Sequence, residues 1–202
     1  AMYNKAEEAQ STFNTYHQPY GQAANIWYTD YTRQTIGEYH AIGDSTTFLG
    51  YYLGGLCNKY AVTGDGATLT LINNVLDTLD WMTLCTGKTG YIPRFVGLAN
   101  DAAYQSYYQN YGNGYAACVA PWQNYVWLDY SSRDTYTGAA FGLANVWIHV
   151  ADANTRAKCQ TITERILDRL IADSWNVISP TNKFTNLTPG FVAMWQRIAI
   201  TM

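Results

Sequence analysis

The sequence predicts an all-α fold of repeated helical hairpins, and three observations carry that expectation: an internal repeat, apolar residues at helical spacing, and aromatic-rich stretches that precede only certain helices. The repeat relates two segments offset by roughly 90 residues, the kind of self-similarity that marks a recurring supersecondary unit. The first starts at Asp44 with DSTTFLGYYLGGL, passes Thr63, Gly64, Asp65 and Gly66, and continues through Val75 and Leu79. The second starts at Asp134 with DTYTGAAFGL, passes Val150, Ala151, Asp152 and Ala153, and continues through Ile166 and Leu170. Each unit reads as two helices joined by a short turn.

Taken in chain order, residues 2 to 17 carry Ala6, Ala9, Phe13 and Tyr16 on one side, as an outer, amphipathic helix would. After a non-helical stretch, 18 to 43, the first inner helix presents Phe48, Leu49, Tyr52, Leu53, Leu56 and Tyr60 as a wide apolar face. Gly50, Gly54 and Gly55 let a neighbouring backbone approach it. Its partner has one stripe of Leu69, Ile72, Val75, Leu76 and Leu79, so it is an outer helix. A second non-helical stretch, 88 to 132, holds Tyr91, Tyr104, Tyr107, Tyr108, Tyr111, Tyr115, Trp122, Tyr125, Trp127 and Tyr130. A connector that long in a compact domain is usually functional.

The next helix is apolar nearly all round (Ala139, Ala140, Phe141, Leu143, Val146, Trp147, Val150), the mark of enclosure by others. Ile162, Ile166, Leu167, Leu170 and Ile171 stripe its outer partner. A last helix from Pro189 carries Phe191, Met194, Trp195 and Ile198; without an outer partner, it is a surface through which a homo-oligomer can form. Asp44 or Ser45, Ser131 or Ser132, Asp65 and Asp152 stand at helix starts, where short polar side chains cap free N–H groups. Both non-helical stretches precede an inner helix, which puts them at one end of the bundle.

The chain of 202 residues with 48% hydrophobic content fits a single domain, 1–202. Twelve Lys and Arg against 15 Asp and Glu argue against nucleic acid, which calls for clustered positive charge. The densest basic run, Arg156, Lys158, Arg165 and Arg169, is interleaved with Asp152, Glu164 and Asp168 and reads as a solvated helix face. No apolar run reaches the roughly 18 residues of a membrane span, so no membrane partner is expected. The first ten residues lack the pattern of a signal peptide.

Four cysteines show no C-x-x-C spacing, and three scattered histidines form no ligand motif, so neither metal nor cofactor is expected. Cys57 and Cys159 read as small buried hydrophobes. Cys85 ends a helix and Cys118 lies in the long stretch at the same end, so a disulfide between them is geometrically open.

With 18 Tyr and 7 Trp, the composition suits surfaces that are half wet and half apolar, as a sugar face requires, although Trp81 and Trp147 sit in helical patterns and read as core. Hydrolysing a glycosidic bond takes two facing carboxyl groups. Asp134, at an inner helix start beside Arg133 and Tyr136, is the first candidate, as base or nucleophile; Asp44 holds the equivalent place in the other repeat. Each is alternatively an ordinary N-cap. Asp129, flanked by Trp127 and Tyr130, is a candidate proton donor, and Glu38 and Asp101 are further acids. Trp122, Trp127 and Tyr136 are candidates for a stacking floor.

Alternating inner and outer helices, with DSTTFLG from Asp44 and SRDTYTG from Ser132 as inner-helix starts, resemble the (α/α) toroid of the six-hairpin glycosidases and related polysaccharide lyases. The resemblance is architectural and implies a partial (α/α) toroid, an oligo- or polysaccharide partner, and an extracellular or periplasmic setting; it assigns no catalytic residue. A closed ring of twelve helices needs about twice this length, so the chain is expected to be part of a longer toroid or to close by association. The leading expectation is a glycoside hydrolase for a neutral glycan. A non-catalytic carbohydrate-binding or protein-interaction module stands second. A lyase stands third; it would draw on His40, Tyr136, Arg133 and Arg94, but the acidic balance suits a polyanion poorly.

Overall fold

The computed structural model describes residues 2–202. Its helices are α1 (Met2–Tyr16), α2 (Ser45–Thr63), α3 (Gly66–Cys85), α4 (Ala102–Gln109), α5 (Arg133–His149), α6 (Ala153–Ala172) and α7 (Pro189–Thr201). Its strands are β1 (Asn25–Tyr28), β2 (Ile36–His40), β3 (Val96–Leu98), β4 (Tyr115–Ala117), β5 (Tyr125–Leu128), β6 (Asn176–Ile178) and β7 (Phe184–Asn186). The all-α expectation is therefore corrected: 58% of the chain is helical, but 12% forms strands in three small antiparallel sheets, β1-β2, β3-β5-β4 and β6-β7. The strands fall where β-branched and aromatic residues gather without a helical repeat, as in IWY of β1 and YVWL of β5, and such side chains fit a pleated surface. The stretch 88 to 132 is a three-stranded sheet plus α4 rather than a loop, and the β6-β7 hairpin had no counterpart in the sequence reading.

The two hairpins, α2 with α3 and α5 with α6, stand side by side in parallel. A Cβ on Gly50 would sit 1.9 Å from Gly138 O, one on Gly138 would sit 2.5 Å from Thr47 Cα, and one on Gly142 would meet Gly50 O at 2.8 Å. The matched order, 47 with 138 and 50 with 142, means α2 and α5 run the same way with their starts level. Backbones touch here, whereas ordinary side chains hold helix axes roughly 8–10 Å apart. The outer helices repeat the register through polar contacts: Asn73 Nδ2 donates to Thr155 Oγ1 at 2.9 Å, and Arg165 donates to Asp80 and Thr83, both at 2.8 Å.

Leu49, Leu53, Ile72, Leu76, Leu143, Val146, Ile162 and Ile166 fill the core between the four helices. α1 leans on α2, with the Phe13 and Tyr52 rings 4.6 Å apart and a 2.8 Å ion pair from Lys59 to Glu7. α7 packs on α5 and α6 and buries Trp195 and Ile198, so much of its apolar stripe is covered within the chain. A second, aromatic core holds Tyr39, Phe95, Tyr104, Tyr108 and Leu128 under the small sheets. Gln22, fully buried, continues the β3 edge like a strand: its Nε2 donates to Val96 O at 2.6 Å and its Oε1 accepts from Val96 N at 2.9 Å.

Candidate functional site

The segment after α3 stitches the starts of both inner helices together. Thr46 Oγ1 donates to Pro93 O at 2.9 Å on the α2 side. On the α5 side, Ser131 N–H donates to the Tyr91 hydroxyl at 3.0 Å and Ile92 N–H donates to the Tyr136 hydroxyl at 3.2 Å. Arg94 joins the two: Nε donates to Tyr130 O at 2.7 Å, Nη1 donates to Gly43 O at 3.1 Å, and Nη1 lies 3.8 Å from Asp44 Oδ1. Its guanidinium thus fixes the spacing of the two lead-ins with a planar, permanently charged fork.

At these starts the carboxylates behave differently from those elsewhere. Asp65, Asp101 and Asp152 each cap a helix by accepting backbone N–H bonds, which with the side-chain bonds they also accept hold the carboxyls of Asp65 and Asp152 below the usual range. Asp44 occupies the cap position of α2 but makes no side-chain cap bond. On α5 the cap is Ser132, whose Oγ accepts from Thr135 N–H at 3.2 Å, leaving Asp134 exposed in the first turn. The ordinary N-cap role open to both aspartates is filled by neither.

Beneath these carboxylates, Ser45 Oγ, Thr47 Oγ1 and Ser131 Oγ are buried without a hydrogen-bond partner among the described residues. Such orphan groups are uncommon and call for a physical reason. One to two turns further on, three rings face outward: Phe48 at 56% exposure, Tyr51 at 46% and Phe141 at 43%. Tyr51 sits edge-on between the other two, at centroid distances of 6.4 and 5.7 Å. A cleft of about 440 Å³ opens on the Phe48 side of the row, between α1 and the start of α2, lined by Asp44, Ser45, Phe48, His17, Asn25 and Phe13 among others. Its size falls in the range of small-ligand clefts, roughly 300–1,000 Å³.

The sequence candidates divide accordingly. Asp44 and Arg94 come together at the start of α2, 3.8 Å apart, while Asp134 stands exposed in the first turn of α5 beside Arg133, exposed as well, with its guanidinium 6.0 Å from the Phe191 ring centre. Asp129 does not join them. It is 2% exposed, pairs with Lys183 Nζ at 3.2 Å, and accepts from the Thr181 hydroxyl and from Tyr130 N–H. A carboxylate tied down by a lysine and two donors fastens the β6-β7 hairpin and is no proton donor to a cleft.

Trp127 and Tyr136 are corrected too. Each is 1% exposed, and their polar handles are spent internally, Trp127 Nε1 donating to Ala117 O at 3.3 Å and the Tyr136 hydroxyl holding Ile92. Burial also pushes the Tyr136 hydroxyl above its ordinary titration range. Trp122 stacks on Trp81 at 6.5 Å, on the outer helix. His40 stacks on Trp27 at 4.5 Å, on the β1-β2 hairpin. Asp101 accepts from the Tyr20 and Tyr39 hydroxyls at 2.6 and 2.8 Å besides capping α4, and Glu38 faces His40 at 3.6 Å.

Phe48 and Phe141 were missed as site residues because their helical spacing reads as core, and Tyr51 was not singled out at all. A wheel drawn for α2 places Phe48, Tyr51, Gly55 and Asn58 on one line, and that line is the exposed one. Among the described residues no cluster of three or more His, Cys, Asp or Glu side chains is arranged to hold a metal, and no helix is long and apolar enough to cross a membrane. Fold and site together define a protein of paired helical hairpins whose inner-helix starts carry Asp44, Arg94, Arg133 and Asp134 ahead of an outward row of rings. No known protein family, curated protein or solved structure matches the chain.

Proposed function

We propose that the protein takes a neutral glycan across the starts of α2 and α5 and hydrolyses it, with Asp134 as base or nucleophile and Asp44 as the second carboxyl. One observation carries the reading: these two aspartates stand at level starts of touching parallel helices and, unlike Asp65, Asp101 and Asp152, cap nothing. Helix axes at or below about 8–10 Å are of the order of the carboxyl separations, about 5–9.5 Å, that glycosidases use. Phe48, Tyr51 and Phe141 supply apolar faces against which a pyranose ring can stack. The resemblance of the two inner-helix starts to those of six-hairpin glycosidases agrees with this use.

A binding-only role on the same surface is the second reading, favoured by the outward rings alone. A panel of neutral oligosaccharides, assayed for cleavage and for binding, separates the two. Hydrolysis by the parent with about 10²–10⁴-fold slower turnover in Asp134→Asn or Asp44→Asn, and binding retained, is the expected result. Unchanged turnover in both variants would remove the carboxyl pair from the chemistry. Binding without cleavage that disappears in Phe141→Ala would leave the binding-only role.

A further inference from the structure

Cys85 is the last residue of α3, and Cys118 directly follows β4 at the turn into β5. The two backbones are already joined: Val119 N–H donates to Cys85 O at 2.8 Å, and Cys118 N–H donates to Tyr125 O at 2.9 Å, fixing the strand turn against the helix end. Both side chains are buried in the same apolar core, both thiols are free, and Cys85 Sγ donates to Met82 O at 3.5 Å. Cys57 and Cys159 instead sit mid-helix, on α2 and α6. One pair of four thiols is therefore held at a junction between an outer helix and the β3-β5-β4 sheet.

We propose that Cys85 and Cys118 are a disulfide site, closed when the chain folds in the presence of a disulfide oxidant such as glutathione disulfide. The inference stands apart from the glycan reading. In the step, the Cys118 thiolate attacks one sulfur of the oxidant and expels a thiolate, which takes up a proton. The Cys85 thiolate then attacks Cys118 Sγ in the mixed disulfide and expels the second thiol. Two protein thiols lose two electrons and two protons, and the oxidant's disulfide becomes two thiols.

Cys118 leads because it is the less deeply buried of the two and lies beside exposed Val119 and Ala120. The neighbouring Cys118 thiol and burial hold Cys85 in its protonated form once the sheet is docked, so exchange belongs to the folding chain or to an opened junction. The bond would fasten the sheet that the Arg94 segment leads into, and through that segment the spacing of the inner-helix starts.

The test uses the whole chain, refolded in a mixture of reduced and oxidised glutathione and then alkylated with iodoacetamide in denaturant. Without reductant two of the four cysteines should be alkylated, after reduction all four, and a peptide map should recover Cys85 linked to Cys118. Cys57→Ser should retain that link. Cys118→Ser should lower the melting temperature by roughly 7–14 °C, the shift that closing such a loop implies for a domain of this size. The same drop should appear when the parent is reduced, which answers the question even if the variant fails to fold. Four alkylated cysteines in the refolded parent, or a link through Cys57 or Cys159, would overturn the proposal.

Discussion

In the stretch between α3 and α5 three large rings are buried and use their polar handles inward: Tyr104 donates to Val126 O and Tyr108 to Ala99 O, both at 3.1 Å, and Trp127 to Ala117 O. On α2 and α5 three rings instead point outward, Phe48, Tyr51 and Phe141, in a row on the face away from the packed core. The difference follows from what each backbone must satisfy. Three- and four-residue strands bury little by themselves, so a dense set of tyrosines gives them an apolar body, while the hydroxyls take up carbonyls that a larger sheet would have paired. The inner helices satisfy their own backbones and pack through glycine, so their large side chains are free to face outward.

Trimming one ring from each region gives the largest expected contrast. Trp127→Ala removes a fully buried ring that packs 5.8 Å from Tyr91, and it should cost about 3–5 kcal/mol of stability. Phe141→Ala removes a ring that already faces solvent on one side, and it should change stability by no more than about 0.5 kcal/mol while weakening glycan binding. Chemical denaturation of the two variants reads both numbers. Equal losses would mean that the outward row is core and not a binding surface.

The same contrast holds within α2 and α5 for residues without side chains. A Cβ on Gly138 would press into the Thr47 backbone at 2.5 Å, where no side chain can swing away, whereas one on Gly55 meets nothing within 4 Å. Gly138→Ala should destabilise by about 1–3 kcal/mol as the helices are forced apart. Gly55→Ala should stabilise by about 0.5–1 kcal/mol, because alanine suits a helix interior better. Thermal melts that move the same way in both would contradict the parallel backbone contact.

Much of this was legible in the sequence because helices announce themselves over many turns. The stripes of α3 and α6 and the caps Asp65, Asp152 and Ser132 stand where spacing and chemistry put them. Strands of three residues, such as β3 and β4, are too short for period-two alternation to register. For Asp129 the deciding partner, Thr181, lies 52 positions away, and no local pattern reveals that a distant hairpin returns to claim the carboxylate. The outward row on α2 and α5 was hidden for the opposite reason: a helix apolar on most sides does not say which side its neighbours leave open. Asp44 and Asp134 could be found as helix starts, but that they cap nothing depends on the local turn before α2 and on Ser132 winning the cap of α5.

The smallest expected effect is absent at neutral pH and appears only in alkali. Burial raises the hydroxyls of Tyr91 and Tyr104 well above their ordinary range, near pH 10 for an unfolded chain. A folded value above the unfolded one means that the native state keeps its protons longer. Stability is therefore untouched below about pH 10 and declines as pH rises past it, because only the unfolded chain then releases those protons. Tyrosinate absorbance should accordingly show a fraction of rings that ionise only together with loss of the far-ultraviolet helical signal. Rings of the β3-β5-β4 region that titrate smoothly while the helices persist would mean that this region opens by itself, and that the hold it keeps on Gly43 and Tyr130 through Arg94 is not rigid.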